Sequence, residues 1–301
     1  MKARYLIVAI AAMHTRRQFL ATAAGSAAVM IGSRPAALMA RARRAGVKFR
    51  FGAPDWNLDL EGNPKAVAFA KELGFDGVQF SLTNDNGKDW IGDDVLDQFV
   101  AESKRLGFPL ASVCLNILHR NYLKSDPLGV KRVADAIPMA KRVGVQVILL
   151  PFFGKGALNT PAEMDYVGDA LKELGPQAEK AGIILGLEDT ISAKDNVRIM
   201  ERSKSPAVLT YYDVGNSTGN GFNVVEEIRW LGKARICEMH LKDNPHYLGE
   251  GKINFPAVID ALGDIGFDKW AELECDAPSK SIPNDMRRNL GYIRKLAGAY
   301  A

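Results

Sequence analysis

Four short apolar segments in the second half of this chain each finish on a residue able to ligate a metal. Residues 183–188 end on Glu188, 209–213 on Asp213, 236–240 on His240 and 270–274 on Glu274. A helix-like stretch follows each segment, so the four end residues meet only if parallel strands present their C-terminal ends together. A (β/α)8 barrel, the TIM barrel, does this and places its chemistry on that face. Carboxylate and imidazole together describe a hard-to-borderline divalent ion rather than a soft one.

The rest of the chain carries the same rhythm. Strand-like runs occur at 47–53, 77–82, 110–115, 145–152, 183–188, 209–214, 236–242 and 270–275. Between them lie stretches of helical periodicity at 64–73, 96–106, 129–142, 161–181, 224–231 and 255–265, with a closing helix at 284–296. The returns from helix to strand repeat a signature: Leu73-Gly74-Phe75, Leu106-Gly107-Phe108, Val143-Gly144-Val145, Ala181-Gly182-Ile183 and Ile265-Gly266-Phe267. Glycine stands there because a helix C-terminus closes through a left-handed residue. No linker or low-complexity stretch interrupts residues 47–301, so they read as one α/β domain of about the usual barrel size, near 250 residues.

Residues 1–46 read as a separate, cleavable signal segment. Arg16-Arg17 precede an Ala/Gly-rich apolar run that ends at Ala36-Ala37-Leu38-Met39-Ala40, the pattern of a twin-arginine export signal. The run from Phe19 to Ile31 is too short to be a stable membrane anchor. Met13 is an alternative start, because an apolar stretch lies upstream of it. The expected partner of this segment is the twin-arginine translocase, and the expected location is periplasmic or otherwise extracytoplasmic. That route moves folded proteins, so a metal can be captured before export.

Charge supports this division. The chain has 39 Lys/Arg against 35 Asp/Glu, but eight of the basic residues and none of the acids fall in residues 1–46, leaving 31 against 35. A mildly acidic body is poorly suited to a polyanion, which argues against a nucleic-acid partner. The odd set Cys114, Cys237 and Cys275 falls in strand-like runs and reads as buried thiols.

Several motifs resemble a known group, the xylose-isomerase-like TIM barrels (also described as AP endonuclease family 2-like), which include sugar epimerases, hydroxypyruvate isomerase, inosose dehydratase and endonuclease IV. The motifs are Leu187-Glu188, Asp213-Val-Gly-Asn216, His240-Leu-Lys-Asp243, Gly249-Glu-Gly-Lys-Ile-Asn-Phe255 and Gly266-Phe-Asp-Lys-Trp-Ala-Glu-Leu-Glu274. The resemblance covers essentially all of 47–301. It implies that Glu188, Asp213, His240 and Glu274 hold one divalent ion, whether Mn, Mg, Co, Zn or Fe. Asn216 stands where related epimerases and endonuclease IV have a second histidine. Only His119 and His246 remain in the body besides His240, which argues against a trinuclear DNA-repair site.

Such a ligand set leaves positions for two substrate oxygens, and an ion there polarises a hydroxy-ketone. A carboxylate can then take the adjacent proton, giving an enediolate, with Glu188 and Glu274 as the two acid/bases. Lys242, two residues past His240, faces the same interior and is expected to bind a substrate oxygen. Trp56, Asn116, His119, Phe152 and Asn216 complete the expected substrate contacts at other strand ends. Glu238 and Glu272 turn inward one layer deeper and read as buried pairs with Lys48 or Arg50. No glycine-rich cradle or arginine cluster follows the last two strands, so a neutral carbohydrate or polyol fits better than a phosphorylated one.

The sequence therefore points to a metal-dependent sugar isomerase or epimerase. A dehydratase or 3-keto-glycoside lyase on the same site is the alternative, and a non-catalytic carbohydrate-binding barrel is the reading from another class. A phosphodiesterase would need several ions and a basic groove. A homo-oligomer is compatible with all of these.

Overall fold

Aliphatic runs with little polar alternation are what strands covered on both faces require, and all eight form strands in the computed structural model, which describes residues 49–84 and 89–298. In chain order they are β1 (Arg50–Pro54), β2 (Gly77–Ser81), β3 (Leu110–Cys114), β4 (Val147–Pro151), β5 (Ile184–Glu188), β6 (Val208–Asp213), β7 (Ile236–Leu241) and β8 (Trp270–Leu273). Each pairs in parallel with its sequence neighbours, and β1 pairs with β8, which closes the barrel. Residues 1–46, read above as an export signal, and Lys48 lie outside the described residues.

Helices α1 (Lys65–Leu73), α2 (Asp93–Leu106), α3 (Pro127–Val143), α4 (Pro161–Ala181), α5 (Ala193–Ser203), α6 (Val214–Gly219), α7 (Val224–Arg235), α8 (Phe255–Asp264) and α9 (Ile282–Gly298) complete the α/β alternation. Gly74, Gly107, Gly144 and Gly182 close α1 to α4 with φ of 94°, 57°, 79° and 74°, the left-handed conformation expected of the repeated returns. Two helices escaped the sequence reading. In α5 buried Val197 and Ile199 sit among Lys, Asp, Asn and Arg, so its apolar stripe is thin, and α6 is only six residues long. Among the described residues no helix is long and apolar enough to cross a membrane.

Two apolar regions result. The larger fills the sleeve between strands and helices, with Phe80, Leu150, Leu187, Met239 and Phe255 among its members. The smaller lies inside the barrel, where Cys114, Val147, Leu149, Tyr211 and Cys237 pack together. Below it Gly77 lets the Trp270 ring cross the barrel floor: a Cβ at position 77 would lie 2.4 Å from that ring. The Arg50 guanidinium covers the same ring at 3.9 Å. All three cysteines are buried and free.

Candidate metal centre

Consecutive strands β5 to β8 deliver the four expected ligand residues to one point. Glu188 and Asp213 are the last residues of β5 and β6, and His240 is the last but one of β7. Glu274 follows β8 directly, with its backbone N–H still bonded to the Leu241 carbonyl at 3.1 Å. One ligand atom from each residue lies within 4.8 Å of all the others. His240 is fully buried, Glu188 and Asp213 nearly so, and Glu274 is half-buried at the mouth.

His240 stands at the centre. Its Nδ1 lies 2.9 Å from Glu188 Oε1, 3.5 Å from Glu274 Oε2 and 3.7 Å from Asp213 Oδ2. Lys242 Nζ lies 2.5 Å from Glu274 Oε2 and 2.8 Å from Asp213 Oδ2. The charges therefore shift one another strongly. Burial pushes Glu188 up to about 7, with Glu274 and Asp213 adding to the rise and His240 opposing it. Burial would also raise Asp213, but Lys242 and His240 outweigh it and hold that carboxyl well below its usual range. Burial alone would lower His240 and Lys242, yet the carboxylates raise both.

This donor set suits a divalent ion. Bonds of about 2.0–2.2 Å keep ligand atoms within about 4.4 Å of each other, close to the spread found here. Asp213 divides its oxygens: Oδ1 accepts the Asn216 N–H at 2.8 Å and so caps α6, while the buried Oδ2 is turned to the cluster, 2.8 Å from Lys242 Nζ and 3.7 Å from His240 Nδ1. An oxygen of that kind is what a ligand position offers.

The other expected residues divide into three groups. Lys242, Asn216 and Trp56 touch the cluster. Lys242 engages two ligand carboxylates rather than standing free for substrate. Asn216 Nδ2 donates to Glu188 Oε1 at 3.4 Å. The Trp56 indole N–H donates to Glu274 Oε1 at 3.1 Å, and its ring meets His240 edge-on with centroids 5.9 Å apart. Asn116 and His119 stand further round the mouth: Asn116 donates to Glu61 Oε1 and Ser81 Oγ, and His119 is exposed beside the Phe153 ring. Phe152 is only 1% exposed and belongs to the sleeve core, so it backs the wall from behind. A cavity of about 590 Å³ opens beside Lys242, lined by Asn216, Thr218, Asn244, His246 and Lys252.

The Gly249–Phe255 motif also has a local cause. The Asp243 carboxylate accepts four backbone N–H groups, from Gly249, Gly251, Lys252 and Ile253, at 2.9–3.3 Å. A Cβ at Gly251 would lie 2.3 Å from Asp243 Oδ1, so only glycine lets the loop close on that carboxylate.

Sequence reasoning placed Glu238 and Glu272 in the layer beneath the centre, where both are buried, but passed over the other members of that layer. Gln79, Ser112 and Tyr211 point inward and are buried with Glu238 and Glu272. Gln79 Oε1 lies 2.8 Å from His240 Nε2. A signal existed: Gln79 interrupts the apolar strand Gly77–Ser81, and Tyr211 precedes Asp213 by two, the offset that singled out Glu238 and Glu272. Burial pushes Glu272 up to about 7, against the pull of His240, Tyr211 and Arg50. Glu238 is raised well above its usual value by burial and by Glu272 beside it.

The family described as xylose isomerase-like TIM barrel matches residues 67–296. A 2-epi-5-epi-valiolone 7-phosphate 2-epimerase from Actinoplanes sp. is 26% identical over 198 residues, covering 65% of this chain and 73% of that protein. Among solved structures, an L-ribulose 3-epimerase superposes with a TM-score of 0.70 at 16% identity, over 84% of this chain and 95% of its own. A 3-keto-D-glucoside 4-epimerase from E. coli superposes with 0.69 at 19% identity, over 82% of this chain and 100% of its own. At those identities the superpositions speak for the fold.

Proposed function

Because this chain belongs to the xylose isomerase-like TIM barrel family, we propose that it is a metal-dependent isomerase or epimerase of a small sugar or polyol ketone. Convergence of Glu188, Asp213, His240 and Glu274 at the C-terminal mouth carries this reading. It places two glutamates at the two ends of a four-strand arc around one centre. Three of the relatives are named as epimerases, of 2-epi-5-epi-valiolone 7-phosphate, L-ribulose and a 3-keto-D-glucoside, and those names support it.

Glu188, Asp213, His240 and Glu274 would hold the ion, which supplies Lewis-acid polarisation of a carbonyl when bound. The chain does the rest. Glu188, at the end of β5 and within reach of the same centre, is one of the two carboxylates placed to trade a proton. Glu274 approaches from the far end of the arc with one oxygen held by Trp56 and the other by Lys242. Proton removal by one glutamate and return by the other inverts a carbon, and return to the neighbouring carbon isomerises. Lys242, Asn216, Trp56, Asn116 and His119 would orient the hydroxyls, and Phe152 would stiffen the wall.

The test is mass spectrometry of ketoses, inososes and 3-keto-glycosides incubated in D2O with the metal-loaded full chain and with Glu188→Gln. One substrate should take up deuterium, and the variant should lose about 10²–10⁴-fold of that rate. Product mass separates isomerase from dehydratase or lyase. No exchange anywhere in the panel, with ligands still bound equally by the variant, would move the reading to a carbohydrate-binding barrel.

The leader read in residues 1–46 assigns this activity to the extracytoplasmic side. Replacing Arg16 and Arg17 together by Lys should leave the protein in the cytoplasmic fraction, and unchanged export would sink that assignment.

A further inference from the structure

We propose that Gln79 is a positioning residue for the metal centre, holding His240 as the Nε2–H tautomer so that Nδ1 turns its lone pair to the ion. This rests on the metal site read above and adds to it which nitrogen binds and what decides that.

Both ring nitrogens of the fully buried His240 face oxygens. Nδ1 is 2.9 Å from Glu188 Oε1, and Nε2 is 2.8 Å from Gln79 Oε1. A primary amide can present either a donor or an acceptor, so the His240 tautomer depends on what fixes the amide. Gln79 Nε2 lies 2.9 Å from Ser112 Oγ and 3.0 Å from the Tyr211 hydroxyl. The Tyr211 hydroxyl in turn lies 2.6 Å from Glu272 Oε2. A phenol has one proton, and here the carboxylate takes it, so the Tyr211 oxygen can only accept from Gln79. The NH2 group must then face Tyr211 and Ser112, which leaves Oε1 towards His240. An acceptor there requires the hydrogen to be on Nε2.

Direction is thus handed from β8 through β6 and β2 to β7: Glu272 orders Tyr211, Tyr211 orders Gln79, and Gln79 orders His240. The remaining nitrogen, Nδ1, is the one that faces Glu188, Asp213 and Glu274. Outer partners of metal-bound histidines commonly set tautomer and orientation, and their loss typically lowers metal affinity by about 10–100-fold. A neutral amide does this without adding a fourth carboxylate to a centre that already holds three.

The experiment uses the full chain, Gln79→Met, which keeps length but offers no acceptor, and Gln79→Glu, which restores one. Affinity for Mn²⁺ and Zn²⁺ is read by competition with a chromophoric chelator. Gln79→Met should weaken binding about 10–100-fold, and Gln79→Glu should recover most of that loss. Independently of any variant, long-range ¹H–¹⁵N spectra of the zinc-loaded wild type should show His240 protonated at Nε2 and bound through Nδ1. Zinc bound through Nε2, or a folded Gln79→Met with affinity within twofold of wild type, overturns the proposal. A wild type that takes up no ion overturns both this and the proposed function. Normal metal binding with no substrate exchanged across the panel overturns only the latter.

Discussion

Two halves of one barrel mouth face each other and differ in kind. The arc from β5 to β8 ends in Glu188, Asp213, His240 and Glu274, with Lys242 beside them. The arc from β1 to β4 ends in Pro54, Ser81, Cys114 and Pro151, and adds Trp56 and Asn116 just beyond. The acids on the second arc are already engaged: the Asp55 carboxylate accepts the Gly62 and Ser81 N–H groups and the Ser81 hydroxyl at 2.8 Å each, and Glu61 Oε1 accepts from Asn116 Nδ2. One half thus concentrates opposite charges where an ion can replace them. The other half, its carboxylates already hydrogen-bonded, offers neutral hydrogen-bonding and aromatic groups that orient without competing as ligands. Trp56 and Gln79 are the two links, reaching from the neutral half to Glu274 and His240.

The charged half should fail first. Saturating ion, at about 100 times its Kd, should stabilise the wild type by about 2.7 kcal/mol, a rise in Tm of roughly 5–10 °C for a chain of this size. His240→Ala should abolish that rise, and turnover should fall by about 10³-fold or more with the loss of several kcal/mol of charge stabilisation. An undiminished thermal shift in calorimetry would break the division of labour.

Lys242→Met tests whether the ammonium belongs to the ion site or to the reaction. It should lower kcat/KM by about 10–100-fold. It should also leave metal affinity unchanged or stronger, because a cation competing for Asp213 and Glu274 is gone. Weaker metal binding would instead make Lys242 a support of the ligand set.

The smallest effect is expected where the neutral half meets the charged one. Trp56→Phe keeps a ring beside His240 and removes only the indole N–H to Glu274. Loss of about 1 kcal/mol, one net hydrogen bond, corresponds to about fivefold in kcat/KM. A fall as large as that of His240→Ala would show Trp56 to be part of the catalytic constellation itself.

Much of this was legible beforehand because it is written in local pattern. Aliphatic runs of five or six residues and glycine returns with positive φ mark strands and helix ends wherever the chain goes, so all eight strands lie within three residues of the expected limits at each end. The four candidate ligand residues were visible because each sits at the end of such a run. Helix α5 was not, since its apolar stripe is short, and neither were the partners of the site. Nothing in the neighbourhood of Gln79 says that β2 will stand opposite β7, 161 residues away. The engagement of Lys242 with two carboxylates, and the burial of Phe152 in the sleeve, depend on rotamer and depth rather than on position in the chain.

The sequence by itself determined the barrel and which residues stand at its mouth, because period-two strands and capped helices are short-range properties. Only the tertiary structure decided which of those residues touch, which nitrogen of His240 faces the carboxylates, and which polar groups beneath it order one another. Closure of the barrel brings side chains from distant strands into one low-dielectric interior, and hydrogen-bond direction there is settled by every partner at once.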